Sequence, residues 1–358
     1  MSHKINKSLR KLIALLAPLT LAACSSVPPQ EVFVPPVYPA APDQPRFIFE
    51  RSLRYNSNIE PLTTAKKLRR YATGETDDIK GLVKPYGVAV QNGRVYVTDT
   101  VQRSVVMFDI NNNIYKEFGR EKPGQLFKPV GIDISTQGEI FVADVSARHI
   151  SVFDLEGSFL RFLGNKAMFK RPAGVSVSSD GSKVYVIDTG GVDTQEHHML
   201  ILDSQTGKLL KTIGTRGGEH GQFNLPLQIS SAADGTVYVV DKGNFRIQAF
   251  DADGNYKFSF GTLGRYPGQF FSPKGVSTDK DGNIYVVDTA FGNVQIFNDK
   301  GALLMVIGQR GQNSAPGNYM LPAGIDVDED GRVYITDQFF RKVDVYRPIS
   351  LRQDTTTE

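Results

Sequence analysis

The chain has 358 residues, with 41 Lys and Arg, 38 Asp and Glu, a single cysteine and 40% hydrophobic residues, a composition that excludes a disordered or wholly membrane-embedded chain. Residues 1–23 hold Lys4, Lys7, Arg10 and Lys11 and no acid; without them 37 basic and 38 acidic residues remain, a net charge of −1. The basic excess therefore lies in the leader, which argues against a nucleic-acid-binding protein, whose positive charge concentrates on the folded surface.

The leader comes first in chain order. Lys4 to Lys11 precede a mostly apolar run, Leu12 to Ala23, that ends in small residues, the order of a secretory signal. The run is shorter than the roughly 20 apolar residues a membrane-spanning helix needs. It is followed by Leu21-Ala22-Ala23-Cys24, which resembles the lipobox of bacterial lipoproteins. That resemblance implies cleavage before Cys24, fatty acylation of Cys24, and a new N-terminus there. A plain signal peptide with an incidental cysteine is the alternative. Ser25 after the cysteine resembles the pattern passed to the outer membrane of Gram-negative bacteria, facing either the periplasm or the exterior.

Residues 24–45 read as a tether. Seven prolines between residues 25 and 45 favour polyproline II, which reaches roughly 65 Å at ~3.1 Å per residue. A segment of no set length is the other reading. Residues 46–81 then hold an apolar stretch, Arg46 to Leu53, which belongs to no repeat, and a short capped helix starting near Thr63.

From residue 82 to 351 the chain repeats. One anchor is Pro-x-Gly plus an aliphatic residue, at Pro85, Pro129, Pro172, Pro273 and Pro322, with Gln228 replacing the glycine in the copy at Pro226. The second is an alternating apolar stretch closed by aspartate, such as Val95-Tyr96-Val97-Thr98-Asp99. It recurs at Asp144, Asp188, Asp241, Asp288 and Asp337. A third strand ends at Phe108, Phe153, Leu202, Phe250, Phe297 and Tyr346, and a fourth ends at an apolar-Gly pair in five of the six copies. Asn-Gly and Asp-Gly pairs supply the hairpin turns.

Six units of four short strands, each unable to bury both faces alone, argue for an all-β, six-bladed β-propeller with four antiparallel strands per blade. The anchors resemble NHL repeats, and lipobox, tether and repeats together resemble the exported propeller lipoproteins of bacteria. The sixth unit lacks a fourth strand, so residues 46–53 are expected to supply it and close the ring. Ile349-Ser350-Leu351 is the competing candidate, and residues 352–358 are read as a disordered tail.

A residue present in every repeat serves the repeat, so the six aspartates are expected to cap turns. Function is expected where the repeat breaks. The face carrying the fourth-to-first and second-to-third loops is the binding surface of similar propellers, an analogy of fold. On it stand Phe245, Phe291, Phe339 and Phe340, with Tyr266 and Tyr319, clustered with Arg265, Arg310, Arg341 and Lys342; these types are enriched at protein interfaces. About half of them are expected to be buried between repeats.

The third repeat carries a five-residue insertion in the loop Gly190 to His198, which holds His197 and His198 and is read as an addition to a loop and thus removable. Those histidines, with Asp133 and Asp326 on first strands, are weak candidates for a metal. Adjacent histidines on a strand face opposite ways, and most of the axial ring lacks ligands, so the expectation is no metal and no cofactor. The chain has no nucleophile elbow, P-loop or dinucleotide motif. The sequence thus points to a binding scaffold for an envelope protein, peptide or polysaccharide. The alternative is a propeller lyase or hydrolase, since some NHL-like propellers are enzymes.

Overall fold

The computed structural model describes residues 33–60, 64–73 and 79–351. The segment expected to be a signal, Cys24 and residues 352–358 lie outside the described residues. Of the unit formed by residues 1–34 only Phe33 and Val34 are described; every strand of the structure belongs to the unit that begins at Pro35.

Six four-stranded antiparallel meanders succeed one another along the chain. Blade one is Pro85–Gln91, Arg94–Asp99, Ser104–Asp109 and Ile114–Phe118. Blades two to five repeat the order from Pro129, Pro172, Pro226 and Pro273. Blade six has Pro322–Val327, Val333–Asp337 and Lys342–Pro348, and takes its fourth strand, Phe47–Leu53, from the start of the chain.

Strand alternation explains the ring. On the second strand of blade one, Val95 and Val97 point into the space toward blade six, while Tyr96 points toward blade two. Both faces of every blade are buried in this way. The six hydrophobic clusters each lie between one pair of consecutive blades. The repeated tyrosines pack their rings there and reach polar partners with their hydroxyls: Tyr96 donates to Leu155 O of blade two at 2.8 Å, and Tyr185 to Ala252 O of blade four at 3.0 Å.

The anchor glycines are explained by close approach. A Cβ on Gly87, Gly131, Gly174, Gly275 or Gly324 would lie under 3.0 Å from a carbonyl oxygen of the next blade. Threonines bridge the same gap. Thr98 Oγ1 accepts the Gly87 N–H at 2.8 Å and donates to Val130 O at 2.9 Å. Thr336 Oγ1 donates to Tyr86 O at 2.7 Å, so blades six and one are joined like any other pair.

Closure is N-terminal. Phe47 pairs with Pro348 and Leu53 with Val343, while Ser52 Oγ donates to Asp344 at 2.6 Å and Arg332 meets Glu50 at 3.1 Å. Ile349, Ser350 and Leu351 form a turn and bend, held by the Ile349 N–H to Arg46 O at 2.9 Å, and no strand. Between closing strand and blade one runs the helix Thr64–Thr73. Among the described residues no helix is long and apolar enough to cross a membrane.

Two expectations need correction. The tether does not run free to residue 45, because Val37–Tyr38 add a fifth strand to blade six, against Ile48 and Phe47. The Arg46 N–H bonds to Tyr38 O at 2.7 Å and the Tyr38 ring lies edge-on to Tyr346 at 5.7 Å. Backbone pairing and ring burial outweigh the polyproline preference there. The insertion of blade three is also no free loop. His197 is fully buried, accepting the Leu225 N–H at 3.2 Å through Nδ1 and lying 3.1 Å from Gly191 O through Nε2. Arg216 N–H and Thr215 Oγ1 both donate to Gln195 O, at 3.1 Å each.

Candidate functional site

The repeated aspartates fix the loop face. Asp337 Oδ2 accepts the N–H groups of Met320 and Leu321 at 2.8 and 3.0 Å, while Oδ1 accepts those of Phe339 and Phe340 at 2.8 Å each. One carboxylate thus pins the loop entering the first strand to the loop leaving the second. Asp99, Asp144 and Asp288 repeat this arrangement of four backbone donors. The loops of this face are therefore held rather than free.

Of the sequence candidates, Phe339, Phe340 and Arg341 share one turn. The two phenyl rings meet edge to face at 5.1 Å; Phe339 is 55% exposed, Phe340 half-buried and Arg341 exposed. Tyr266 is 77% exposed beside exposed Arg265, on the loop between blades four and five. Arg310 is exposed but engaged, donating to Ala290 O and Met320 Sδ at 3.3 Å each. Phe245 and Phe291 are half-buried, Phe245 against the cluster between blades four and five.

Tyr319 is a correction. It is fully buried, with its hydroxyl 2.8 Å from that of Tyr346, and burial beside Tyr346 and Asp344 pushes its hydroxyl well above the usual tyrosine range. Lys342, counted with the basic surface, is fully buried too and ion-paired with Asp344 at 2.5 Å. Its ammonium stands 4.9 Å from the centre of the Tyr319 ring.

The four weak metal candidates form no single group, since only the two acids face the same channel. His198 bonds through Nδ1 to Gly214 O at 2.8 Å, while His197 is buried against Leu225 and Gly191. Asp133 accepts Ser176 Oγ at 2.8 Å and Val177 N–H at 2.7 Å; Asp326 accepts Ser277 Oγ at 2.9 Å and Val90 N–H at 2.8 Å. Among the described residues no group of three or more His, Cys, Asp and Glu is placed to hold a metal.

Those two acids line the central channel, which encloses about 110 Å³ among Ser176, Gln228, Ser230 and Ser277. Burial, and then the charge of Asp133, pushes Asp326 up to about 7. Burial raises Asp133 as well.

The mouth of this channel holds residues the sequence reading passed over. Lys274 occupies the middle position of its Pro-x-Gly anchor and stands 4.7 Å from the centre of the ring of Tyr86, which holds the same position in blade one. Burial, and then the charges of Lys242 and Lys84, pulls Lys274 down to about 8, with Asp337 opposing. Arg171 acts on Tyr86 from blade three. Their sequence signal was faint: Lys274 is the one charged residue among the six middle positions.

A second groove, of about 1170 Å³, lies between Tyr38–Phe47 and the outer part of blades five and six, lined by Asp43, Lys280, Leu304 and Pro348 among others. It contains none of the sequence candidates.

Ring, blade order and closure define a six-bladed β-propeller, and a family model described as a 6-bladed beta-propeller matches residues 278–351. Its repeats resemble those of NHL repeat proteins. The chain is 36% identical over 90 residues to NHL repeat-containing protein 3 of Homo sapiens, covering 25% of this chain and 24% of that protein. It thus spans about a quarter of the length of the first curated relatives it matches. Among solved structures it resembles a streptogramin B lyase with TM-score 0.55 and 15% identity, over 75% of this chain and 94% of that one. It also resembles a gluconolactonase from Xanthomonas campestris with TM-score 0.58 and 17% identity, over 75% and 86%. At those identities the likeness is one of fold alone.

Proposed function

We propose that this propeller is a non-enzymatic binding scaffold of a Gram-negative envelope, anchored in the outer membrane through lipid on Cys24, that engages a protein or peptide partner through its loop face. One observation carries the reading. Exposed apolar side chains stand on the loops of that face, at Val101, Phe127, Leu263, Tyr266, Phe271 and Phe339, and a capping aspartate accepts the backbone N–H of four of them, Val101, Phe127, Phe271 and Phe339. Solvent-exposed aromatics on pre-ordered loops bind at low entropic cost, and truncating such anchors typically costs on the order of 2 kcal/mol each.

The test compares wild type with a Phe339→Ala, Phe340→Ala, Arg341→Ala variant in a pull-down from envelope extract, followed by competition with the purified partner. The variant keeps its melting temperature and loses the partner if the reading is right. Retained affinity refutes it, and a captured polysaccharide in place of a protein changes the partner class. Stoichiometric metal in the purified protein, or turnover of a lactone or ester, would bring forward the lyase or hydrolase alternative that the neighbouring folds also support. Cys24→Ser should release the chain from the membrane fraction; a variant that stays there without lipid would sink the anchor.

A further inference from the structure

We propose that the mouth of the central channel is an anion site, with Lys274 at its centre, that receives a carboxylate from an acidic segment of the partner. This rests on the binding-face reading and adds the chemistry at the middle of that face.

Lys274 of blade five lies on the Tyr86 ring of blade one, the charges of Lys84 of blade one and Lys242 of blade four act on it, and Arg171 of blade three acts on Tyr86. Lys274 is half-buried with no carboxylate on it; among the described residues its Nζ has the Tyr86 ring and no hydrogen-bond or ion-pair partner. The side-chain nitrogens of Lys84, Arg171 and Lys242 likewise show no ion pair among the described residues. The acid whose charge acts on Lys274 is Asp337, whose two oxygens are already engaged by four backbone N–H groups. Lys242 is half-buried like Lys274, while Lys84 and Arg171 are exposed; like charges held near one another without a counterion repel, so an incoming anion gains from each of them.

The same caps select the kind of anion. Phosphate sites in proteins are commonly cradled by backbone N–H groups. On this rim those groups are taken up by Asp99, Asp144, Asp188 and Asp337. What remains is lysine ammonium and one guanidinium, which pair with a carboxylate without the backbone cradle that phosphate sites commonly use. Around the mouth, one or two residues before the anchor prolines, stand exposed Val83, Phe127, Phe271 and Leu321. Val83 and Leu321 are aliphatic and Phe127 and Phe271 aromatic, a mixed apolar rim that packs on peptide side chains, and the protein or peptide partner proposed above makes an acidic peptide the occupant.

The experiment reads Lys274 directly. The full chain, purified in detergent, is reductively methylated with a ¹³C label, which keeps lysine charged, and the Lys274 signal is assigned by its loss in Lys274→Arg. Millimolar citrate should move that signal and raise its titration midpoint above about 8, while glycerol leaves it unmoved. A peptide of alternating Glu and Leu should act at lower concentration than its Gln counterpart. Combining Lys84→Gln with Lys242→Gln should weaken citrate and peptide about tenfold without lowering the melting temperature. A Lys274 signal that citrate does not move, or moves no more than those of exposed surface lysines, overturns the site. If trigalacturonate moves it and the acidic peptide does not, the peptide assignment is overturned. The citrate arm needs no partner, so it separates failure of this site from failure of the binding-face reading, which the Phe339 variant tests.

Discussion

Lys342 and Asp344 form an ion pair at 2.5 Å with both side chains fully buried, two residues apart on the third strand of blade six. Asp344 also accepts the hydroxyl of Ser52 at 2.6 Å, so the pair touches the closing strand. Removing one member of a buried pair leaves the other charge uncompensated, at a typical cost of about 3–5 kcal/mol. Lys342→Met should therefore be much less stable than Lys342→Met combined with Asp344→Leu. Urea denaturation of both variants checks this, and a double variant no more stable than the single would contradict it.

Deleting residues 46–53 should destabilise the whole ring. Blade six would lose its outer strand, and the clusters on both its sides would lose buried Phe47 and Leu53. In a closed ring one weak blade removes the packing partner of two others. Thermal unfolding should fall as one transition for the entire domain; an unchanged midpoint would show that closure lies elsewhere.

Asp326 predicts a pH dependence with a definite sign. Its carboxyl titrates near 7 in the folded chain against an ordinary 3.8, so the folded state binds this proton more tightly than the unfolded state. The stabilisation is complete below the ordinary carboxylate range and is lost as pH rises through about 7. Asp326→Asn, which stays neutral beside Asp133, Ser277 and the Val90 N–H, lacks that loss. Between about pH 4 and about pH 8, wild-type melting temperature should drop relative to the variant. Parallel curves would contradict the burial argument.

His197→Ala should cost about 1–3 kcal/mol, because the Leu225 N–H and Gly191 O lose their buried partner. Chemical denaturation measures it. A neutral result would return the insertion to the status of a dispensable loop.

Much of this fold was legible because repetition separates architecture from chemistry. Pro-x-Gly, the alternating Tyr-bearing strand and its closing aspartate recur because the first allows close approach at the axis, the second packs one blade on the next, and the third caps the loops. Tyr319 was misread for want of the same rule. The position three residues before each anchor proline is Leu82, Leu126, Phe169, Phe223, Phe270 and Tyr319, and all six are buried. A tyrosine drew attention where a phenylalanine read as core. Lys342 was illegible for another reason, since a lysine is buried only with a partner, and Asp344 becomes that partner only through the period-two alternation of a strand whose both faces are covered. The channel mouth was barely legible, because Lys274 alone breaks its repeat position while Lys84, Arg171 and Lys242 lie far apart in the chain.

The loop-face reading is tested most directly by position-specific photocrosslinking in cells. Benzoylphenylalanine would replace Phe339 or Tyr266 on the loop face and, as a control, Leu209, which is exposed on the outer strand of blade three. The account predicts one shared adduct from Phe339 and Tyr266 and none from Leu209. An adduct from Leu209 with none from the loop face would contradict it.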